Sequence, residues 1–326
     1  MPEPVLLIVS IDTEEDNWNR SRQRVTCENI GELRRQATFF DGLGVRPTYF
    51  TSYQVAINPA AAEVMREVGS ARGEIAAHLH PWNTPPLTEA FVPRNSMLKN
   101  LPAELQLAKL QSLTAVLEEK FGVRPRAFRA GRYGLGRDTV AALLRCGYQV
   151  DSSVTPFVSW EEMDDGPTFV GAPLDVYRLA PDRDVNQPAE NGEVIEVPLS
   201  CGFGRKSFRL WGRVDRALDM PGLRRLRGLC KRIVLSPELA SVAEMVTLSR
   251  RLLERGVRHL HLSWHSPSLK PGLSPFVATA ADVARLYASV EGYIERLSHI
   301  THLTFVTVSE AAALLADPVL PEAAAC

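Results

Sequence analysis

Apolar and polar positions along this chain fall into blocks that repeat a strand-then-helix rhythm. The first block, Leu6-Leu7-Ile8-Val9, is a continuous apolar run with β-branched residues, the pattern of a strand buried on both faces. It stops abruptly in acid, at Asp12, Glu14, Glu15 and Asp16. Helical spacing predicts helices over Glu28–Leu43, Pro59–Glu67, Pro102–Phe121, Asp138–Cys146, Val242–Arg255 and Ala281–Leu297. The third is the clearest: Leu105, Leu110, Leu113, Val116 and Leu117 recur on one face, and Gly122 follows the last turn, where helix ends prefer glycine. Between these helices the pattern predicts strands at Thr48–Tyr53, in GEIAAHLHPW (73–82), in PRAFRAGRYG (125–134), in YQVDSSV (148–154), in HLHLSWHS (259–266) and in LTFVTVS (303–309).

Strands alternating with helices imply an α/β fold built on a parallel sheet. About seven or eight strands suit a closed or nearly closed (β/α) barrel, with an open doubly wound sheet as the alternative. The rhythm fails between Thr155 and Pro237, which is rich in proline, glycine and charge and holds one credible strand, Val194–Ser200. We therefore expect one domain over 1–326, with an irregular basic insertion at about 157–237. GRYGLG lacks the spacing of a phosphate-binding glycine loop, and no fixed-period repeat is present.

Composition narrows the reading only slightly. The chain has 326 residues, 45% hydrophobic and 23% charged, ordinary for a globular protein. The net charge of −1 gives no whole-chain argument for nucleic acid, which is not expected as a partner. Cys27, Cys146, Cys201, Cys230 and Cys326 lack CxxC spacing. That argues against a thiolate zinc site and fits a reducing compartment. No basic leader precedes the first apolar run and no window suits a membrane span, so a cytoplasmic protein is expected. Locally, Arg205–Arg232 carries ten basic residues against two acids. Leu223, Leu226, Leu229 and Ile233 recur helically through it. The bland reading is a solvated face; the other is peripheral contact with anionic membrane or a phosphate-linked substrate.

Chemistry collects where the strands would stop. The first offers Asp12 and Glu14, on one face because side chains two apart in an extended chain point the same way. The third offers His78 and His80, the fourth Arg129, the fifth Asp151, and HLHLSWHS offers His265. In a barrel such ends converge on one face. One carboxylate with two imidazoles suits a catalytic zinc-like divalent ion that keeps a position open for water. His259 and His261 share a face with His265, but His259 lies about 20 Å from it at about 3.3 Å per residue, and both are expected in the interior. Trp82, Tyr133 and Trp264 are candidate apolar walls for a substrate ring, or ordinary packing.

In order and approximate spacing, SIDTE, EIAAHLHPW, FRAGRYG, VDSS and LSWHS resemble the five motifs of the NodB-homology polysaccharide deacetylases, over most of Leu6–Ser266. The chain looks closest to a divergent intracellular subgroup associated with surface-polysaccharide biosynthesis. The resemblance implies a distorted (β/α) barrel, one divalent metal ion held by an aspartate and two histidines, and removal of acetyl groups from an acetylated sugar or glycan substrate. It makes Asp12 the catalytic base, Arg129 the arginine that orients it and His265 the general acid. Asp151 matches the fifth-strand motif. Two departures stand out. The usual adjacent aspartates are replaced by Asp12-Thr13-Glu14, which makes Glu14 the candidate ligand. The usual histidine pair is four apart, whereas Trp82 stands four after His78, so His80 is the candidate replacement. The rival readings are a hydrolase of a small non-sugar or cyclic amide on the same fold, and an inactive barrel serving as a binding scaffold.

Overall fold

The computed structural model describes residues 4–18, 22–71, 73–217 and 231–316. The central strand β1 (Val5–Thr13) is flanked from Leu6 to Asp12 by β10 (His259–His265), with Asp12 level with His265. Its other edge is shared. The first half pairs with β11 (Leu303–Val306), and the second half pairs with β2 (Thr48–Ser52). From there the parallel sheet continues through β3 (Glu74–Leu79), β4 (Ala127–Ala130), β5 (Val150–Asp151) and β7 (Val194–Glu196). It ends at β6 (Tyr177–Leu179), the antiparallel member. Among the described residues this curled sheet has nine strands, and the molecule is a distorted (β/α) barrel.

Closure between the β7 side and β10 comes from side chains and irregular backbone. His261 N donates to Ser200 Oγ, Ser263 N to Leu235 O, and Leu235 N to Ser200 O. A separate antiparallel pair, β8 (Cys201–Phe203) with β9 (Arg232–Val234), lies beside this seam. These short strands and β6 were not legible in the irregular stretch, because three-residue strands carry no measurable period.

Alternation along β1 sorts the core into two layers. Leu6 and Ile8 fill the barrel interior with Phe50, Ala76, Ala127 and Val150. Leu7, Val9 and Ile11 face the surrounding helices. Around the barrel lie α1 (Leu33–Leu43), α3 (Pro59–Ala71), α4 (Ala103–Phe121), α5 (Arg137–Arg145), α7 (Val242–Leu253) and α8 (Ala280–Ser298). The expected helix boundaries move for local reasons. Glu28–Glu32 is a 3₁₀ turn whose backbone is held by the Asp16 carboxylate, and Tyr53 opens a short helix, α2 (Tyr53–Ile57). Helix α9 (Val308–Leu315) replaces the end of the expected last strand. Its capping box pairs Thr307 with Glu310, and Val308, Ala311, Ala312 and Leu315 plug the bottom of the barrel.

The described part of the basic stretch forms α6 (Phe208–Ala217), anchored by Phe208 against Phe157 and Phe203. Lys231 pairs with Glu244 at 2.6 Å and Arg232 with Asp215 at 3.0 Å. Leu223, Arg224, Arg225, Leu226, Arg227 and Leu229 lie outside the described residues. No helix among the described residues is long and apolar enough to cross a membrane.

Candidate active site

The carboxyl ends of β1, β3, β4 and β10 meet at a cavity of about 400 Å³, lined by Asp12, Glu14, His78, His80, Trp82, Tyr133 and His265 among others. On its floor, His80 Nε2 lies 3.0 Å from His78 Nε2 and 3.0 Å from Glu14 Oε2, with His78 Nε2 3.5 Å from the same oxygen. The other ring nitrogens are spoken for: His78 Nδ1 meets Arg129 O at 3.0 Å and His80 Nδ1 meets Glu15 Oε1 at 2.7 Å. A carbonyl oxygen only accepts, so His78 Nδ1 carries the hydrogen, which in the neutral ring leaves the lone pair on Nε2. Two imidazole nitrogens and a carboxylate oxygen this close are mutually repulsive unless a proton or cation lies among them. Burial disfavours charge on His80, but Glu15 and Glu14 outweigh it and raise its pKa to about 10. Glu14, His78 and His80 can present one ligand atom each to an ion, and the two Nδ1 contacts supply the outer hydrogen bonds that metal-binding imidazoles need.

The donor set therefore fits a divalent ion, and its backing is tight. Glu15 also accepts from Asn83 Nδ2 at 2.7 Å and Ser52 Oγ at 3.2 Å. At Gly131 a Cβ would stand 2.5 Å from His80 Cδ2 and 2.7 Å from Leu79 O. Gly131→Ala must push the His80 ring, so metal affinity should fall about 10–100-fold, the usual effect of disturbing a ligand's support. Unchanged affinity by competitive chelator titration would show that the ring has room to give.

Beside this cluster stands a buried ion pair, Arg129 Nη1 on Asp12 Oδ1. Arg129 is fully buried and its donors are met on every side. Nε donates to Ser152 O at 2.8 Å, while Nη2 reaches Ser10 Oγ at 3.0 Å, Ser152 Oγ at 3.2 Å and His261 Nε2 at 3.2 Å. A nitrogen facing a guanidinium N–H must hold a lone pair, and burial followed by Arg129 drives His261 well below its ordinary pKa. His261 is thus a neutral interior acceptor, and His259, between Asp175 and Pro198 O, lies deeper still. Burial alone would raise Asp12, but Arg129, with His78 and His265, outweighs it and holds the carboxyl below its ordinary value.

Across the cavity, His265 Nε2 is 3.9 Å from Asp12 Oδ2, and His265 Nδ1 is 2.8 Å from Glu238 Oε2. Burial lowers this imidazole's pKa, and Glu238 more than reverses it, to about 10. Glu238 also accepts from the His265 backbone N–H at 3.2 Å and from Ser268 Oγ. Tyr133 stacks on Trp160 at 5.3 Å, His80 on Trp82 at 4.2 Å and His265 on Phe276 at 6.2 Å. Arg132 and Tyr133 have φ of 53° and 58°, the kind of backbone that persists where the surroundings hold it, often at functional sites.

Two expected residues are placed elsewhere. Asp151 does not line the cavity. Val150 takes the interior position level with Ala127, so Asp151 turns outward, level with Phe128 and with Glu196. There its carboxylate accepts from Ser153 N and Oγ, both at 2.9 Å, and burial raises its pKa. Trp264 turns outward for the same reason, level with Ile11, and packs edge-on against Phe40 in the helix layer.

Several residues of the site were not anticipated. Glu238 lies in the irregular stretch and carried no periodic signal. Glu15 was visible only as the second acid in TEED. Lys109 did leave a trace, a charge four residues from both Leu105 and Leu113 on an apolar stripe. Its buried Nζ donates to Pro81 O, Thr84 O and Pro86 O at 2.7–2.9 Å, fixing the loop that follows the histidines.

Comparison with solved structures agrees with this architecture. The chain superposes on a protein named as a polysaccharide deacetylase from Mycobacterium smegmatis with a TM-score of 0.56 and 18% identity, over 97% of this chain and 92% of that one. It superposes on one named as a glycoside hydrolase/deacetylase from Parabacteroides distasonis with a TM-score of 0.61 and 12% identity, over 95% and 70%. No family model and no curated protein matches the sequence. The fold is that of the polysaccharide deacetylases, and the site set in it is a carboxylate–histidine cluster flanked by an Asp–Arg pair and a His–Glu pair.

Proposed function

We propose that the protein is a metal-dependent hydrolase that removes the N-acetyl group from an acetamido sugar or glycan precursor. The observation that carries this is the convergence of Glu14 Oε2, His78 Nε2 and His80 Nε2 between the Asp12 carboxylate paired with Arg129 and the His265 imidazole paired with Glu238. A divalent ion bound by these three, zinc by the donor set, would polarise the acetamide carbonyl and ease loss of a proton from water. Asp12 takes that proton, with Arg129 fixing the carboxylate through Oδ1 and leaving Oδ2 toward the cavity. The water oxygen bonds to the carbonyl carbon, and a backbone N–H of the Gly131–Gly134 loop donates to the resulting oxyanion. His265 then gives its proton to the nitrogen as the C–N bond breaks, releasing acetate and a free amine. Trp82, Tyr133, Trp160 and Phe276 provide flat apolar walls for a sugar ring. Zinc-loaded protein should release acetate from a panel of acetamido sugars, lose that activity to a chelator and regain it with metal. Turnover of cyclic amides with no acetate from any sugar would favour the small-amide reading instead.

The His265–Glu238 pair sets the alkaline limit. An imidazole raised to about 10 stays a proton donor until the pH approaches that value. Glu238→Gln removes the charge that raises it, so the basic limb of the kcat/KM profile should move down toward the ordinary imidazole range near 6.5. The stability contribution has the same sign: it is complete below the unfolded pKa and is lost as pH rises through about 10. A basic limb unmoved in Glu238→Gln would remove His265 as the acid.

A further inference from the structure

Away from the cavity, two buried carboxyl groups stand side by side on the sheet. Strand β5 is two residues long, and its Asp151 is level with Glu196 on β7. Both side chains are fully buried. Acids are needed here for a local reason. The chain leaves the sheet just after Asp151, so the backbone N–H groups of Ser153 and Val154 are enclosed without a ladder partner, and buried donors need acceptors. The two Asp151 oxygens accept from Ser153 N and Ser153 Oγ, both at 2.9 Å, and Glu196 Oε1 accepts from Val154 N at 3.0 Å. Glu196 Oε2 receives no hydrogen bond from any N–H or hydroxyl among the described residues. The two carboxyl groups nevertheless lie within hydrogen-bonding distance of each other. Ionised carboxylates only accept, so a bond between them requires one proton. Asp151 is already accepting on both oxygens, which puts that proton on Glu196 Oε2. Burial and the neighbouring Asp151 charge push Glu196 well above the ordinary carboxyl range. Arg129 on β4 acts on the pair from a distance, but its N–H groups go to Asp12, Ser10, Ser152 and His261. Tyr177 on β6, level with Glu196, gives its hydroxyl hydrogen to Val185 O. The nearby helices α5 and α9 bury no charged residue.

The segment these acids anchor supports the site. Ser152 accepts from Arg129 Nε through its carbonyl at 2.8 Å and from Nη2 through its hydroxyl at 3.2 Å. Ser153 Oγ accepts from Ala130 N at 2.9 Å, where the Gly131–Gly134 loop begins. We propose that Asp151 and Glu196 share a single proton and act as a positioning pair, fixing Ser152 and Ser153 against Arg129 and Ala130 and, through them, the base and the oxyanion loop. The consequence for turnover rests on the deacetylase reading; the shared proton and the hold on the loop do not.

The test compares the full-length wild type with Glu196→Gln and Ser153→Ala. Glutamine keeps the acceptor for Val154 N and gives Asp151 a donor that does not titrate, so this variant should fold. Above about pH 5 an unfolded chain has both carboxyls ionised, whereas the folded wild type keeps one proton, so wild-type stability falls as pH rises. In Glu196→Gln that dependence is gone. The ratio of the two unfolding constants, from denaturant titrations, should therefore shift about tenfold per pH unit in the variant's favour until the shared proton is lost. His265 and Asp12 titrate in both proteins and cancel in the ratio. Hydrogen exchange supplies the second readout. Ser153→Ala cuts the link to Ala130, so exchange across 130–134 should quicken about five- to tenfold, the loss of one hydrogen bond, while Glu196→Gln leaves it as in the wild type. A ratio independent of pH would show that no proton is shared, and exchange unmoved by Ser153→Ala would show that the pair does not hold the loop; either result overturns the proposal. Acetate release is followed in parallel, and a lower kcat at unchanged KM in Ser153→Ala would carry the positioning through to turnover. If the stability and exchange results hold while none of the three proteins releases acetate, the pair stands and the deacetylase reading falls. Acetate release with a pH-independent ratio would do the reverse.

Discussion

Asp12→Asn should fold, bind one divalent ion and turn over roughly 10²–10⁴-fold more slowly, the usual contribution of a positioned general base. The substitution keeps the shape of the side chain and an oxygen that can still accept from Arg129 Nη1. It removes the charge that Arg129, His78 and His265 stabilise against burial. The arginine is a poorer target for the same question. An Arg129 variant loses, besides the ion pair, the donors that meet Ser152, Ser10 and His261 in the interior, so a loss of activity there would be confounded with loss of the fold. The measurements are kcat/KM for acetate release and metal content of the purified variant. Activity near that of the wild type would take Asp12 out of the mechanism, and loss of metal would make it a ligand.

His78→Ala should abolish stoichiometric metal binding and, with it, acetate release. Three protein ligands around an open position leave no spare donor, and the neighbours that could substitute are engaged elsewhere. Glu15 is held by His80, Asn83 and Ser52, and Asp16 by Glu28 N and Asn29. Because His80 is raised to about 10, metal uptake must displace a proton at neutral pH, so apparent affinity should rise with pH until that proton is gone. Full metal occupancy in His78→Ala would dissolve the proposed ligand set. A pH-independent affinity would show that His80 is not among the ligands.

The chain's periodicity was enough to establish a parallel α/β sheet with its chemistry at one end, and left open whether that sheet curls into a barrel. The Leu6–Val9 run, the amphipathic face of 102–121 and the polar residues closing each strand are local features that survive into the fold almost unchanged. So do the pairs two apart on a strand, Asp12 with Glu14 and His78 with His80, because the two-residue repeat is a property of extended backbone itself. Which face a residue takes when its strand is only two residues long is not local. Asp151 lies away from the site because Val150 is level with Ala127, and that pairing is settled by β4. Trp264, next to His265 in the sequence, falls in the helix layer by the same alternation. The partner of the proposed acid was beyond sequence reasoning altogether. Glu238 is 27 residues from His265, in a segment without period, and it reaches the imidazole only because irregular backbone at Ser200 and Leu235 closes the barrel against β10. Local backbone geometry thus determined the strands and the face their polar ends share. The tertiary structure decided which of the neighbouring acids stands against the histidines, which pairs with the arginine and which lies away from the cavity, because charge on a buried group is tolerable only beside the partner that packing brings to it.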